Sequence, residues 1–211
     1  MNAPDLSRLE ALRIDTILAG ANLAAMRPRF AALASRHENG TAPRAVSAFQ
    51  LFQTPAALAA RLVSALALRS GARVLEPSAG LGRLLDALAP FHPAEVVAVE
   101  MAAACAGELY AQARPRVLLV QANFLSLTPA TLGTFDAVAM NPPFHMRDDI
   151  RHILHARAFL KPGGTLAALC LDTPHRAAAL CPLAASWEPI PAGAFGQEGT
   201  RVATVLLTLK N

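Results

Sequence analysis

From residue 73 onward, short apolar runs alternate with helix-periodic stretches, and this rhythm limits the folds open to the chain more than any other feature. The runs at 73–75, 96–99, 117–120 and 137–140 are three or four residues long, and helical patterns at 81–88, 102–113 and 148–160 separate or follow them. Strands this short with no polar alternation suit a sheet covered on both faces. Strand-helix-strand order supplies the long crossovers that parallel pairing needs. Lys161-Pro162-Gly163-Gly164 reads as a turn before a further strand at 165–171, and 202–209 reads as the last strand. Between them Phe195-Gly196-Gln197-Glu198-Gly199-Thr200 has turn chemistry, so 187–209 is expected to form a terminal hairpin. The expected fold class is α/β: a doubly wound, mostly parallel sheet.

Ahead of this unit, apolar residues recur at helical spacing over 6–33 (Leu6, Leu9, Leu12, Ile17, Leu18), with a break near Arg27-Pro28 and a turn at His37-Glu38-Asn39-Gly40. Residues 1–48 are read as a helical extension and 49–211 as the main domain. Thr54-Pro55 places a cap residue before a proline at the first helical position, ahead of a helix at 56–68 that Ser70-Gly71 closes.

With 54% hydrophobic and 16% charged residues the chain has ample core material and no mark of disorder. No run approaches the roughly 20 apolar residues needed to span a bilayer. The N-terminus lacks a basic region leading into an apolar one, so a cytoplasmic location is expected. Cys105, Cys170 and Cys181 are widely spaced with no C-x-x-C pair, which argues for buried thiols and against a disulfide or a metal knuckle. His152 and His155 lie three apart with no third ligand at a supporting spacing, so a solvated helix face is expected and no metal site. The net charge of +4 is compatible with an anionic partner and by itself speaks mainly of solubility.

The run from Val74 to Gly82 (Val-Leu-Glu-Pro-Ser-Ala-Gly-Leu-Gly) is a strand, an acid, a tight glycine turn and the start of a helix. Glycines let the backbone approach a ligand at the carboxyl edge of the sheet, where α/β folds bind. Glu76 before the turn would repel a pyrophosphate and could balance a cation. Glu100 closes the next strand, where a carboxylate can accept from ribose hydroxyls. An adenosine-containing, cationic ligand fits both.

E-P-S-A-G-x-G with an acid after the following strand resembles the class I S-adenosylmethionine-dependent methyltransferases, which implies a Rossmann-like, seven-stranded sheet with an antiparallel C-terminal hairpin. The resemblance implies S-adenosylmethionine as cofactor, with Glu76, Ser78, Gly80 and Gly82 around the methionine end and Glu100 on the ribose. Phe52-Gln53-Thr54-Pro55 is similar to the F-x-T-P element of amino-methyltransferases, which assigns Phe52, Thr54 and Pro55 to the methionine carboxylate pocket. Family members carry an aspartate for the adenine amino group where this chain has Asn123; an amide carbonyl still accepts there, and Phe124 can pack on the ring.

Asn141-Pro142-Pro143-Phe144 follows the strand at 137–140, on the same sheet edge as the glycine turn. Two prolines fix the backbone and remove its donors, leaving the Pro142 carbonyl and the Asn141 side-chain carbonyl as two acceptors for one NH₂ group. Phe144 can stack on a planar substrate. The tetrapeptide resembles the catalytic motif of N6-adenine methyltransferases, and glutamine N5-methyltransferases carry a similar one. Motif order resembles the DNA enzymes whose recognition region follows the catalytic domain, and only about forty residues follow the fifth strand here. Four readings result: adenine methylation of DNA with short or relaxed sequence preference, which is favoured; adenine methylation of RNA; glutamine methylation of protein; and a non-catalytic partner subunit. The N-terminal helices are the candidate surface for a homodimer or partner.

Overall fold

The computed structural model describes residues 53–191 and 203–211. The N-terminal extension, Phe52 and the Phe195 to Thr200 turn lie outside these residues. In chain order the elements are α1 (Ala56–Ala65), β1 (Arg73–Glu76), α2 (Arg83–Leu88), β2 (Glu95–Glu100), α3 (Ala103–Ala111), β3 (Val117–Gln121), α4 (Pro129–Leu132), β4 (Phe135–Met140), α5 (Asp148–Arg157), β5 (Leu160–Leu171), α6 (Pro174–Leu180), β6 (Ala184–Ile190) and β7 (Thr204–Lys210). One seven-stranded sheet runs in the order β3-β2-β1-β4-β5-β7-β6. The five strands from β3 to β5 pair in parallel, and β7 pairs antiparallel with both β5 and β6.

Alternate residues of each central strand feed opposite layers, because successive Cβ atoms point to opposite faces. Val97, Val99, Val138, Met140, Leu166 and Ala168 enter one core with Phe135, Ile153 and Phe159. Val96, Ala98, Ala137, Ala139 and Ala167 enter the other with Leu62, Leu84, Leu85 and Leu88 of α1 and α2. The alanines on that second face give the helices' leucines room to seat close to the sheet.

Several local expectations are corrected. Pro55 itself is the N-cap of α1, and Thr54 makes no cap, because its hydroxyl faces Asn141. The sequence 161–164 does not end one element before another; it lies within β5 as a bulge, the register stepping from Phe135↔Leu160 to Ala137↔Thr165. Lys161 Nζ donates to both carboxylate oxygens of Asp136 at 2.9 Å across it. Cys105 and Cys170 are buried but Cys181 is exposed, at the end of α6 rather than under it.

Candidate active site

Chain order reverses between β1 and β4, and at such a switch point adjacent loops diverge to leave a crevice at the carboxyl edge. The ends of four neighbouring strands bring four distant segments together there: Asn141 after β4, Glu76 ending β1, Glu100 ending β2 and Asn123 after β3. They line one cavity of about 390 Å³, within the range of small-molecule sites. Thr54, Ser78, Gly80, Phe124, Pro142, Pro143 and Phe144 line it as well.

Gly80 and Gly82 both sit at positive φ, +53° and +87°. Gly82 does not line the cavity; its place at the N-cap of α2 is explained by that φ and by Arg114, whose Nη2 would lie 2.8 Å from an added Cβ. Pro55 is likewise outside the lining, one residue beyond Thr54.

The two acids differ. Glu100 is committed to the turn: Oε2 accepts from the Gly80 N–H and Oε1 from that of Ala102, each at 2.7 Å. Burial raises its carboxyl from the ordinary range, and those N–H groups oppose the rise. Glu76 is 1% exposed, and its Oε2 has no hydrogen-bond partner among the described residues. Burial pushes its carboxyl well above the usual carboxylate range, with the charge of Arg114 opposing. An orphaned carboxylate oxygen in a cavity wall calls for a cationic donor.

Asn123 is exposed and its Oδ1 caps the next turn, accepting from Leu125 N at 3.0 Å. Phe124 is 2% exposed, packed against His152, His155 and Phe159 with centroids 4.9–5.9 Å apart. The histidines are therefore not on a solvated face. His152 is 9% exposed, and burial lowers its pKa, which favours the neutral imidazole; His155 Nε2 meets the Leu127 carbonyl at 2.9 Å. No group of three or more metal-ligating side chains occurs among the described residues.

The tetrapeptide is held from two sides. Asn141 Nδ2 donates to Thr54 Oγ1 at 3.1 Å, and Arg176 Nη2 donates to the Phe144 carbonyl at 2.9 Å. Pro142 is buried, and among the described residues no backbone N–H reaches its carbonyl. Arg176 in turn pairs through Nε with Asp149 Oδ2 at 2.5 Å. Neither Arg176 nor Asp149 carries a signal in the sequence, since they meet only when α5 and α6 pack.

Residues 57–176, more than half of the chain, match the family described as the methyltransferase small domain. The chain belongs to that family. No curated protein matches it. Among solved structures, TrmN from Thermus thermophilus is 23% identical with a TM-score of 0.61, over 74% of this chain and 48% of that one. The present chain thus spans about half of TrmN. A Pyrococcus horikoshii protein described as a candidate RNA methyltransferase is 16% identical with a TM-score of 0.64, over 87% of this chain and 98% of its own. A dimethyladenosine transferase from Plasmodium falciparum is 14% identical with a TM-score of 0.56, over 73% of this chain and 61% of its own. At these identities the structures share the fold.

The cofactor of this methyltransferase small domain is S-adenosylmethionine. The residues present fit it. The orphaned Oε2 of Glu76 would accept from its ammonium, and the cavity is lined by the ends of β1, β2 and β3. No helix among the described residues is long and apolar enough to cross a membrane.

Proposed function

We propose that this chain methylates the exocyclic N6 amino group of adenine in DNA, with short or relaxed sequence preference. The observation that carries the reading is the Asn141–Thr54 hydrogen bond at 3.1 Å. It commits the amide nitrogen, so the acceptor end of Asn141 serves the substrate beside the proline-fixed carbonyl of Pro142.

An adenine amino nitrogen is a poor nucleophile because its lone pair is delocalised into the ring. Asn141 Oδ1 and the Pro142 carbonyl accept hydrogen bonds from its two N–H groups, which favours pyramidal nitrogen and stabilises the positive charge that grows on it. The bound cofactor supplies an electrophilic methyl group on sulfur. Phe144 stacks on the base and aims its nitrogen along the methyl–sulfur axis, a positioning contribution. After transfer the nitrogen sheds one proton to solvent, since neither carbonyl is basic enough to keep it. On this reading Glu76, Ser78 and Gly80 hold the methionine end, Glu100 the ribose, and Asn123 with Phe124 the adenine end of the cofactor.

A second reading, adenine in RNA, is supported by the descriptions of the Pyrococcus horikoshii and Plasmodium falciparum neighbours. Labelled S-adenosylmethionine offered with DNA, RNA and protein side by side separates the readings. Label in DNA that disappears with Asn141→Ala supports the proposal. Label confined to RNA or to protein overturns it.

A further inference from the structure

Behind the tetrapeptide lies a charge pair that the methyl-transfer chemistry does not use. Arg176 is 8% exposed and Asp149 is fully buried, with Nε to Oδ2 at 2.5 Å. Asp149 Oδ2 also faces the Leu171 N–H at 3.4 Å. A buried ion pair is a weak device for stability, because well-packed apolar residues of similar volume commonly do as well or better. What an apolar pair cannot do is deliver an N–H to a carbonyl. Arg176 Nη2 reaches the Phe144 carbonyl at 2.9 Å, at the end of a segment whose prolines offer no backbone donors of their own. The guanidinium is planar, so fixing Nε on Asp149 fixes the direction of Nη2.

We propose that Arg176, oriented by Asp149, is a positioning residue that holds Phe144 at the angle its ring needs to receive the substrate. This rests on the reading of Asn141 to Phe144 as the transfer site, and it is independent of the class of nucleic acid.

The test compares wild type with Arg176→Lys, Arg176→Met and the double variant Arg176→Met/Asp149→Leu. S-adenosylhomocysteine is the binding probe, and labelled transfer to whichever of DNA, RNA or protein the wild type methylates is the rate probe. Arg176→Met strands a buried carboxylate and should melt lowest, and the double variant should recover most of the melting temperature. The double variant and Arg176→Lys should both keep probe affinity to within about twofold while kcat stays down on the order of 100-fold, the scale of a small misplacement. A double variant that regains wild-type kcat along with its melting temperature overturns the proposal, since the pair would then serve the fold alone. If the double variant does not fold, Arg176→Lys decides, and unchanged kcat overturns it. If the wild type methylates no acceptor, the transfer-site reading fails first. The pair's hold is then read from the ¹³C resonance of the Phe144 carbonyl, and a wild-type value in Arg176→Lys overturns it.

Discussion

Thr54 and Asn141 are 87 residues apart in sequence, and their side chains meet at 3.1 Å, joining the segment before α1 to the loop after β4. The contact fixes which end of the Asn141 amide serves as donor. Thr54→Val keeps the shape and removes the acceptor, so kcat should fall on the order of tenfold with S-adenosylhomocysteine affinity nearly unchanged. Thr54→Ser should retain activity. Steady-state kinetics with calorimetric binding checks this, and a loss confined to cofactor affinity would contradict it.

Glu76 carries a proton to higher pH in the folded chain than in the unfolded one, because burial raises its carboxyl above the ordinary value of 4.5. The folded state binds more protons across that window, so this group's contribution to stability declines as pH rises from the ordinary value towards the raised one. Glu76→Gln should therefore raise the melting temperature of the free protein at neutral pH. It should also shrink the further rise on adding S-adenosylhomocysteine, whose ammonium then lacks a carboxylate. Thermal melts across that pH range, with and without the ligand, read both effects. A variant that melts below wild type without ligand would contradict the assignment.

Gly163 and Gly164 are adjacent in the β5 bulge and should respond differently to alanine. At Gly163 an added Cβ meets nothing within 4 Å, and only its φ of +75° opposes the change, about 1 kcal/mol. At Gly164 the Cβ would lie 2.9 Å from the Lys161 carbonyl oxygen within the bulge and 3.1 Å from that of Asp136 in the neighbouring β4, both backbone atoms. Gly164→Ala should be the more destabilising in denaturant titrations.

Gly82→Ala should destabilise by about 1–2 kcal/mol, combining a left-handed φ with contact against the Arg114 guanidinium. Arg114 is held by Asp86 at 2.8 Å, which limits how far it can yield. Arg114→Ala in the same background should remove the contact part and leave the φ part. A double-mutant cycle with no coupling would show that Arg114 yields freely.

Much of this architecture is legible in the sequence for a physical reason. The central strands are buried on both faces and read as unbroken apolar runs, and Asn141 and Glu76 stand beside punctuation that only a sheet edge explains. Boundaries are less legible. Gly80 and Gly82 carry the turn further than the apolar pattern implies, so α2 begins at Arg83. Proline and two glycines at 162–164 look like a terminator, yet the bulge keeps them within β5 because Asp136 anchors Lys161 from β4. Contacts between elements are least legible. His152 reads as a surface residue until α5 packs it against Phe124, and Arg176 meets Asp149 across 27 residues only after β5 intervenes.

On the proposed reading, Asn141 and Pro142 grip an adenine amino group for methyl transfer. The most direct test is nucleoside mass spectrometry of DNA incubated with the protein and S-adenosylmethionine bearing a deuterated methyl group. The expected product is N6-methyladenine carrying the deuterated methyl, absent with Asn141→Ala although that variant still binds S-adenosylhomocysteine. Deuterated methyl found on cytosine or on a ring nitrogen of adenine, or N6-methyladenine persisting in Asn141→Ala, would contradict it.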